Sequence, residues 1–230
     1  MREPAFSDTW YEVFGRPDPE ITAREVAFLL EVLPPPPATV LDAPCGSGRH
    51  AIALLRQGYE VTGVDIEPRV IAAAQMAGVA AHELDMRSLR DLPGRFDAVI
   101  CMWASFGWFD EATNAEVFAQ LADKIQTGGV FVLDVFDPTW FRAHQGPHTI
   151  ERRGHLVAEH KHVDGSRLHT TLDYADGSRD EFDWQLYEPS ELAGLGEGAG
   201  LRCELACADF DLDAAPHGEV ARMQLVFRRH

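Results

Sequence analysis

The sequence predicts an α/β fold, with a doubly wound, mostly parallel seven-stranded sheet and an antiparallel β insertion. Residues 40–56 run from β-branched residues through a Gly-x-Gly turn into helix formers, the pattern of strand, turn and helix. Strand-like and helical segments then alternate up to residue 136, which is typical of βαβ units. From residue 149 onward, short alternating strands are separated by Asp-Gly turns, which favours an antiparallel sheet.

Composition narrows the class of protein. The 230 residues suit one domain with an appended subdomain, and 46% hydrophobic residues are ample for a core. A net charge of −17 argues against nucleic-acid and anionic-membrane partners and favours a small-molecule partner. The four cysteines lack metal-ligand spacing, so we expect no metal and reduced thiols in a cytoplasmic protein. Neither a signal-peptide pattern nor an apolar run of membrane-spanning length is found, in line with that expectation.

The N-terminal segment, residues 1–37, is predicted to be helical ahead of the sheet. An apolar stripe at helical spacing places a helix within residues 6–33, and the prolines at 34–37 end it. The stripe consists of Ala23, Val26, Ala27, Leu30 and Leu33.

The first strand–turn–helix passage is a candidate nucleotide site. Glycines in its turn permit positive φ and let a ligand approach the main chain, and the following helix offers unpaired N–H groups. Gly46 to Ala51 formally match the dinucleotide fingerprint G-x-G-x-x-G/A, which leaves an NAD-dependent dehydrogenase as one interpretation. Asp42, four residues before Gly46, would repel a pyrophosphate and suits a cationic ligand with an amino group.

Residues 41–48, Leu-Asp-Ala-Pro-Cys-Gly-Ser-Gly, resemble motif I of the class I S-adenosylmethionine (SAM) methyltransferases. The resemblance implies the Rossmann-like fold of that family and SAM as the cofactor. Pro44 replaces the family's common first glycine, so the loop is stiffer and cannot donate a hydrogen bond there. The resemblance assigns cofactor contacts in this loop to Asp42, Ala43, Pro44, Gly46 and Gly48.

Two further strands, at 59–66 and 79–86, flank a predicted helix at 68–77 and carry acidic residues near their ends. Asp65 lies 17 residues past Gly48, where a carboxylate can accept hydrogen bonds from ribose hydroxyls of either nucleotide.

The resemblance gives roles to residues at these strand ends. It implies that Asp65 holds the ribose and that Ile66 flanks the adenine. It also implies that Asp85 accepts a hydrogen bond from the adenine amino group and that the Met86 backbone contacts the adenine ring. Met102, at the end of the fourth strand, completes the expected cofactor contacts.

The fourth strand, 96–102, is almost continuously apolar, as strands buried on both faces are. The loop after it resembles the N-S-F-G-Y-F segment of small-molecule N- and O-methyltransferases, with Ala104 in place of the asparagine. Aromatic faces in such a loop can attract a cation beside the sulfonium. We expect the substrate to contact Trp103, Phe106, Trp108 and Trp140.

The remaining elements follow the same logic, and the chain divides after the N-terminal segment into a core at 38–145, an insertion at 146–188 and a closing unit at 189–230. The predicted elements are a helix at 114–125 ended by Thr127-Gly128-Gly129, core strands at 130–136, 201–210 and 220–229, insertion strands at 149–163, 167–174 and 179–186, and a helix at 189–199. A closing antiparallel pair resembles the end of the class I methyltransferase sheet. The sequence offers one pair of histidines on a common strand face, His160 and His162. A metal site needs a third ligand and none is marked, so no metal is expected.

The tail, at 186–192, 199–201 and 208–211, resembles a bacterial subgroup with an inserted sheet, similar to deoxyaminosugar N-methyltransferases. That subgroup usually carries arginine where this chain has Gln185, so a charge contact is lost. The inserted sheet can cover the substrate or pair across its edge in a homodimer.

The resulting expectation is methyl transfer from SAM to an N or O atom of a small molecule, such as a sugar or other secondary metabolite, by in-line displacement. Tyr11, at a position where the family has a tyrosine in a cofactor lid, Asp137 and His144 are the candidate catalytic residues. Alternatives are a SAM-binding protein that catalyses a non-methyl-transfer step, a non-catalytic SAM-binding module and, least favoured, the dehydrogenase.

Overall fold

The computed structural model describes residues 6–16 and 18–230. Met1 to Ala5 and Pro17, part of the predicted N-terminal segment, lie outside the described residues. The strands are β1 (Thr39–Asp42), β2 (Glu60–Asp65), β3 (Ala80–Glu83), β4 (Phe96–Cys101), β5 (Ile125–Phe136), β6 (Gly146–Arg152), β7 (His155–Asp164), β8 (Arg167–Tyr174), β9 (Arg179–Gln185), β10 (Leu201–Ala208) and β11 (Arg222–Arg229). The helices are α1 (Asp8–Val13), α2 (Pro19–Val32), α3 (Arg49–Arg56), α4 (Pro68–Met76), α5 (Glu111–Asp123), α6 (Pro138–Ala143) and α7 (Pro189–Gly198), with a 3-10 helix at Met86–Asp91.

The main sheet has seven strands in the order β10-β11-β5-β4-β1-β2-β3. Its pairings are parallel except those of β11, which runs antiparallel to both neighbours. The predicted fold class and the reversed last strand are confirmed. Because the order reverses between β1 and β4, a crevice opens at the carboxyl ends of these central strands.

Helices cover both faces of this sheet. Along β5, Phe131 and Leu133 pack with α5 and α7, whereas Val130 and Val132 pack with the face covered by α2, α3 and α4. This alternation follows from the two-residue period of a strand. Because both faces of β5 are buried, its sequence is nearly continuously apolar. No helix within the described ranges has the length and apolar character needed to cross a membrane.

Several predicted boundaries are wrong for identifiable reasons. The helix expected within 6–33 is two helices, since α1 ends at Val13 and α2 begins at Pro19 with Asp18 as its N-cap. Thr127-Gly128-Gly129 lies inside β5 instead of ending a helix. A side chain at Gly129 would come 2.8 Å from the carbonyl oxygen of Asp97, so this glycine permits a close strand approach. The third strand stops at Glu83, β10 stops at Ala208 and β11 begins at Arg222.

The insertion is a four-stranded antiparallel sheet of order β6-β7-β8-β9, where the sequence predicted three strands. The single strand expected at 149–163 is a hairpin, because Arg153 and Gly154 turn the chain at φ 54° and 80°. A glycine in such a turn is a known signal, but arginine at positive φ is not.

The inserted sheet packs against the N-terminal segment. Val157, Leu172 and Phe182 of the sheet form one apolar cluster with Trp10 and Val13 of α1. The Ser7 hydroxyl donates to Asp180 at 2.7 Å, which fastens the start of α1 to β9. Helix α1 is therefore held beside the carboxyl edge of the main sheet.

Candidate active site

A cavity of about 1100 Å³ lies at the carboxyl edge of the main sheet. Residues of the loops after β1, β2, β3 and β4 line it, together with residues of the N-terminal segment and Trp184 of β9. Most of the expected cofactor and substrate residues therefore meet at one place. Those that line it are Pro44, Gly46, Asp65, Ile66, Asp85, Met86, Met102, Trp103 and Trp108, and the candidate catalytic residue Tyr11 lines it as well.

The two motif glycines have different surroundings. Gly46 lies at φ 52° on the cavity wall, and apart from its chain neighbours no atom of the described residues lies within 4 Å of the position that a side chain would take. Gly48 caps α3 at φ 82°, where a side chain would come 3.1 Å from Val79 and 3.2 Å from Ala74. Gly46 thus exposes main chain to the cavity, whereas Gly48 lets α3 pack against α4. Gly48 and the fully buried Ala43 were expected to contact the cofactor, but neither lines the cavity.

Asp65 connects the loops after β1 and β2. Its carboxylate accepts hydrogen bonds from the backbone N–H of Gly46 at 2.9 Å and of Glu67 at 3.0 Å. Burial raises the pKa of this carboxyl, and the hydrogen bonds oppose that rise. Ile66 beside it is 48% exposed and faces the cavity, an uncovered apolar surface that a flat ligand could bury.

Asp42 is completely buried beneath the motif loop and does not line the cavity. Neither carboxylate oxygen has a hydrogen-bond partner among residues 6–16 and 18–230. Burial raises the pKa of this carboxyl to about 8, although Arg49 nearby lowers it. A buried carboxyl without a partner lacks the hydrogen bonds that buried polar groups normally have, and a bound ligand can supply them.

Asp85 and Met86 line the cavity at the end of the third strand. Arg87 Nε donates to Asp85 Oδ2 at 2.9 Å, so part of this carboxylate is already engaged. Burial raises the pKa of Asp85, but the hydrogen bonds from Arg87 outweigh it and hold the pKa below its usual range. The Arg87 guanidinium also stacks over Phe109, 4.9 Å from the ring centre.

A buried charge network, which the sequence did not predict, lies beside the cavity. Glu25 is fully buried and accepts from His50 Nε2 at 2.9 Å, from Arg222 at 2.9 Å, and from Arg49. Arg222 bridges to Asp134, and Arg49, His50 and Arg222 line the cavity. The members come from distant parts of the chain, so only folding brings them together.

The network sets the charge of its members. Burial raises the pKa of Glu25, but the hydrogen bonds from His50 and Arg49 lower it to about 2, so Glu25 is ionised. Burial lowers the pKa of His50, which therefore stays neutral and donates its Nε2–H to Glu25. His50 Nδ1 is then the unprotonated nitrogen of the ring.

Two residues expected to contact the substrate lie elsewhere. Phe106 is buried in the core, with its ring centre 5.9 Å from Phe118 and 5.4 Å from Tyr187. Trp140 stacks on His144 at 4.2 Å, outside the cavity. Sequence position after a strand did not distinguish them from Trp103 and Trp108, because side-chain direction depends on the loop conformation.

The candidate catalytic residues also separate. Tyr11 lines the cavity, but burial and then the Glu67 and Asp65 charges raise its pKa to about 12, so it remains protonated. Asp137 caps α6, accepting from the backbone N–H of Thr139 at 2.8 Å. His144 is exposed and lies outside the cavity, with Nδ1 2.8 Å from the carbonyl oxygen of Trp140. The structure therefore corrects the expectation that Asp137 and His144 lie at the reacting atoms.

The cavity also contains aromatic residues that were not predicted to be part of it. Phe6 and Trp10 come from the N-terminal segment, Phe136 from the end of β5 and Trp184 from β9. Gln185, next to Trp184, does not line the cavity, and its amide donates to the Ser166 hydroxyl at 2.7 Å. The alternation along β9 was the sequence signal that could have placed Trp184 on the inner face.

A family model described as a methyltransferase domain matches residues 40–129, which include the strands and loops that build one side of this cavity. The chain therefore carries a methyltransferase domain, and the proteins that it resembles are SAM-dependent methyltransferases. The methyltransferase is 32% identical over 161 residues to a glycine/sarcosine/dimethylglycine N-methyltransferase of Actinopolyspora halophila, a match of 65% of this chain and 28% of that protein. It is 27% identical over 198 residues to a Streptomyces venezuelae dTDP-3-amino-3,4,6-trideoxy-alpha-D-glucopyranose N,N-dimethyltransferase, covering 79% and 83% of the two chains.

The fold of this methyltransferase is also that of a solved relative with SAM bound. CalS10, an amino pentose methyltransferase from Micromonospora echinaspora, superposes with a TM-score of 0.71 over 100% of both chains at 21% sequence identity. The cavity fits SAM on three observations: the open main chain at Gly46, the carboxylate of Asp65 and the unpaired buried Asp42. The contacts of individual residues with the cofactor stay predictions.

Proposed function

We propose that this methyltransferase moves a methyl group from SAM to an amine nitrogen of a small molecule, a secondary metabolite. The observation that carries the proposal is that one cavity joins the motif loop around Gly46 to aromatic side chains such as Trp103 and Trp108. Aromatic faces attract ammonium groups, which suits an amine acceptor. The names of the three relatives above, all acting on amino compounds, support the same class.

In this proposal Asp65 binds the ribose hydroxyls, and Ile66 and Met86 flank the adenine. Asp85, which is partly engaged by Arg87, accepts a hydrogen bond from the adenine amino group. Asp42 supplies a buried carboxyl beneath the loop that carries Pro44 and Gly46. When bound, SAM supplies an activated methyl group, so the protein needs no further electrophile.

The protein contributes alignment and exclusion of water. Helix α1 and the inserted sheet pack together and both contribute to the cavity lining, which restricts the acceptor and lowers the entropic part of the barrier. An ammonium acceptor must first lose a proton. We assign His50 as the proton acceptor, because it is neutral, lines the cavity and is held through Nε2 by the ionised Glu25.

The proposal extends to location and assembly. Cys45, Cys101 and Cys207 are buried free thiols, which fits a reducing compartment such as the cytoplasm. Strand β6 is an edge of the inserted sheet and is the surface that would pair in a homodimer. Light scattering would test the dimer, and a monomer at micromolar concentration would overturn it.

Calorimetric titration with SAM, S-adenosylhomocysteine (SAH) and NADH, followed by incubation with SAM and a panel of amines and alcohols, tests the function. We expect both sulfur compounds to bind, NADH not to bind, and methylated amine and SAH to form together. Methylation of alcohols alone would move the acceptor atom to oxygen. Tight SAM binding without transfer to any nucleophile would instead support a non-methyl-transfer role.

A further inference from the structure

We propose that the acceptor of this methyltransferase carries its amine on a flat apolar ring, and that it is not a polyhydroxylated or nucleotide-linked sugar. The inference rests on the proposed function and adds the substrate class. Six aromatic side chains form what we call the aromatic wall. They are Phe6, Trp10, Trp103, Trp108, Phe136 and Trp184.

The aromatic wall is continuous although its members come from separate elements. Trp108 and Trp184 have ring centres 4.3 Å apart, and Trp184 lies 5.2 Å from Phe136. Phe6 joins the N-terminal segment to this group, 5.6 Å from Trp108 and 4.0 Å from Trp10. Trp10 in turn lies 6.1 Å from Trp103. Rings at these separations present one extended apolar surface, and such surfaces bind flat rings by stacking and edge-to-face contact.

The side chains of the aromatic wall offer indole N–H groups as their only hydrogen-bonding groups, and the neighbouring Arg49, His50 and Arg222 are already bonded to Glu25. In the loop after β4, Ser105 adds one hydroxyl to the cavity lining, and the lining residues Ala104 and Trp108 of the same loop add apolar surface. The indole N–H of Trp184 is buried and has no partner within the described part of the chain. A sugar with several hydroxyls would leave most of them without hydrogen bonds, which is costly, whereas an apolar ring loses nothing by entering.

The partly buried cations beside the wall already have carboxylate partners, although Nη2 of Arg49 has no hydrogen-bond partner within the described residues. Arg49 pairs with Glu25, and Arg222 pairs with both Glu25 and Asp134. A diphosphate there would have to compete with these buried carboxylates. The cavity lining includes four further arginines. Arg69 pairs with Asp8 and Glu67, and Arg87 pairs with Asp85. Arg16 and Arg153 are exposed, where water and salt screen an ion pair.

The test compares probes on the full-length protein loaded with SAH. Benzylamine and tryptamine present an amine on or near an aromatic ring, glucosamine presents one on a hydroxylated ring, and thymidine diphosphate represents the nucleotide. Titration should show binding of both aromatic amines at least tenfold tighter than of glucosamine or thymidine diphosphate. The inference is overturned when glucosamine or thymidine diphosphate binds as tightly as the aromatic amines.

Variants test the wall directly. Trp108→Ala and Trp184→Ala should each weaken the aromatic amines at least tenfold and change SAH affinity by less than about twofold. Trp140→Ala is the matched control, because Trp140 is a partly buried tryptophan outside the cavity. Unchanged affinity of the aromatic amines in both wall variants would contradict the inference. The ranking of probes on the wild-type protein decides the matter when a variant fails to fold.

The SAH titration separates this inference from the proposed function. Failure of SAH to bind the wild-type protein would contradict the proposed methyl transfer itself. Binding of SAH together with methylation of glucosamine but not of benzylamine or tryptamine would leave the function standing and overturn the flat-ring acceptor.

Discussion

The carboxylate of Asp134 accepts the backbone N–H of Trp103 at 2.6 Å, and its carbonyl oxygen accepts that of Ala104 at 3.1 Å. Trp103 and Ala104 lie at φ 64° and 52°, a region that non-glycine residues rarely occupy. Asp134 is fully buried and also bonded to Arg222 and Gln224. A residue of β5 thus holds the turn after β4 and directs the indole of Trp103 into the cavity.

Ala104→Gly tests whether this turn is strained. Glycine adopts positive φ without the steric cost that alanine has, but it also raises the entropy of the unfolded chain. We expect the free energy of unfolding to stay unchanged or to rise by up to about 1 kcal/mol. Ala98→Gly, in the regular part of β4, is the control and should destabilise by roughly 1 kcal/mol. If urea unfolding showed the same loss in free energy of unfolding for both variants, strain at Ala104 would be contradicted.

Glu25→Gln tests the buried charge network. Removing the negative charge leaves Arg49 and Arg222 less compensated, so we expect about 3–5 kcal/mol of destabilisation in chemical unfolding. Glu31→Gln, on the exposed face of the same helix, should change stability by less than about 0.5 kcal/mol.

The pH dependence of the same contribution has a defined sign. The pKa of Glu25 is about 2 in the folded protein against 4.5 without its partners, so the stabilisation is present above pH 4.5. It is lost as pH falls from 4.5 toward 2. A Glu25→Gln variant whose deficit relative to wild type persisted at pH 2 would contradict this assignment.

Asp42→Asn is expected to have the opposite pH dependence. The folded protein holds this carboxyl protonated up to about pH 8, whereas the unfolded chain ionises it near 3.8. Wild type should therefore lose stability relative to the variant as pH rises from 4 to 8, by at most roughly 1.4 kcal/mol per pH unit. The exposed Asp91→Asn serves as control and should show no such trend. Parallel stability curves for wild type and Asp42→Asn would refute the buried neutral carboxyl.

Asp65→Ala should weaken SAM binding at least about tenfold, because the variant lacks the carboxylate assigned to the ribose hydroxyls. Glu60→Gln, at the opposite end of β2 and exposed, should leave the affinity unchanged. Calorimetry on both variants, with circular dichroism to confirm folding, is the measurement. Retained affinity in folded Asp65→Ala would move the ribose contact elsewhere.

His50→Gln should lower kcat at pH 7 by about 100-fold if His50 accepts the proton of the acceptor amine. The loss should shrink as pH rises toward the pKa of the acceptor, because the amine is then already deprotonated. SAH affinity should change by less than about twofold, and the exposed His82→Gln should behave as wild type. A loss of the same size at every pH would assign His50 a structural role.

Local sequence patterns could predict the central strands and the motif loop. The Gly-x-Gly turn of Gly46 and Gly48 needs positive φ, and Asp65 sits at the end of a strand, where parallel strands gather their ligands. The β6–β7 hairpin was missed because Arg153 occupies a positive-φ position usually given to Gly or Asn. Phe106 was misplaced because a loop residue has no periodicity to show which way its ring points.

By itself, the sequence determined the fold class and the strand ends at which ligands bind, since hydrophobic period and turn chemistry are local properties. The cofactor was implied by the resemblance of residues 41–48 to the SAM methyltransferases. Only the tertiary structure decided which side chains share the cavity. Glu25, His50, Asp134 and Arg222 form one network although up to 197 positions separate them along the chain. The aromatic wall likewise joins the N-terminal segment to β9. Packing of distant elements creates these contacts, and no short stretch of the sequence predicts them.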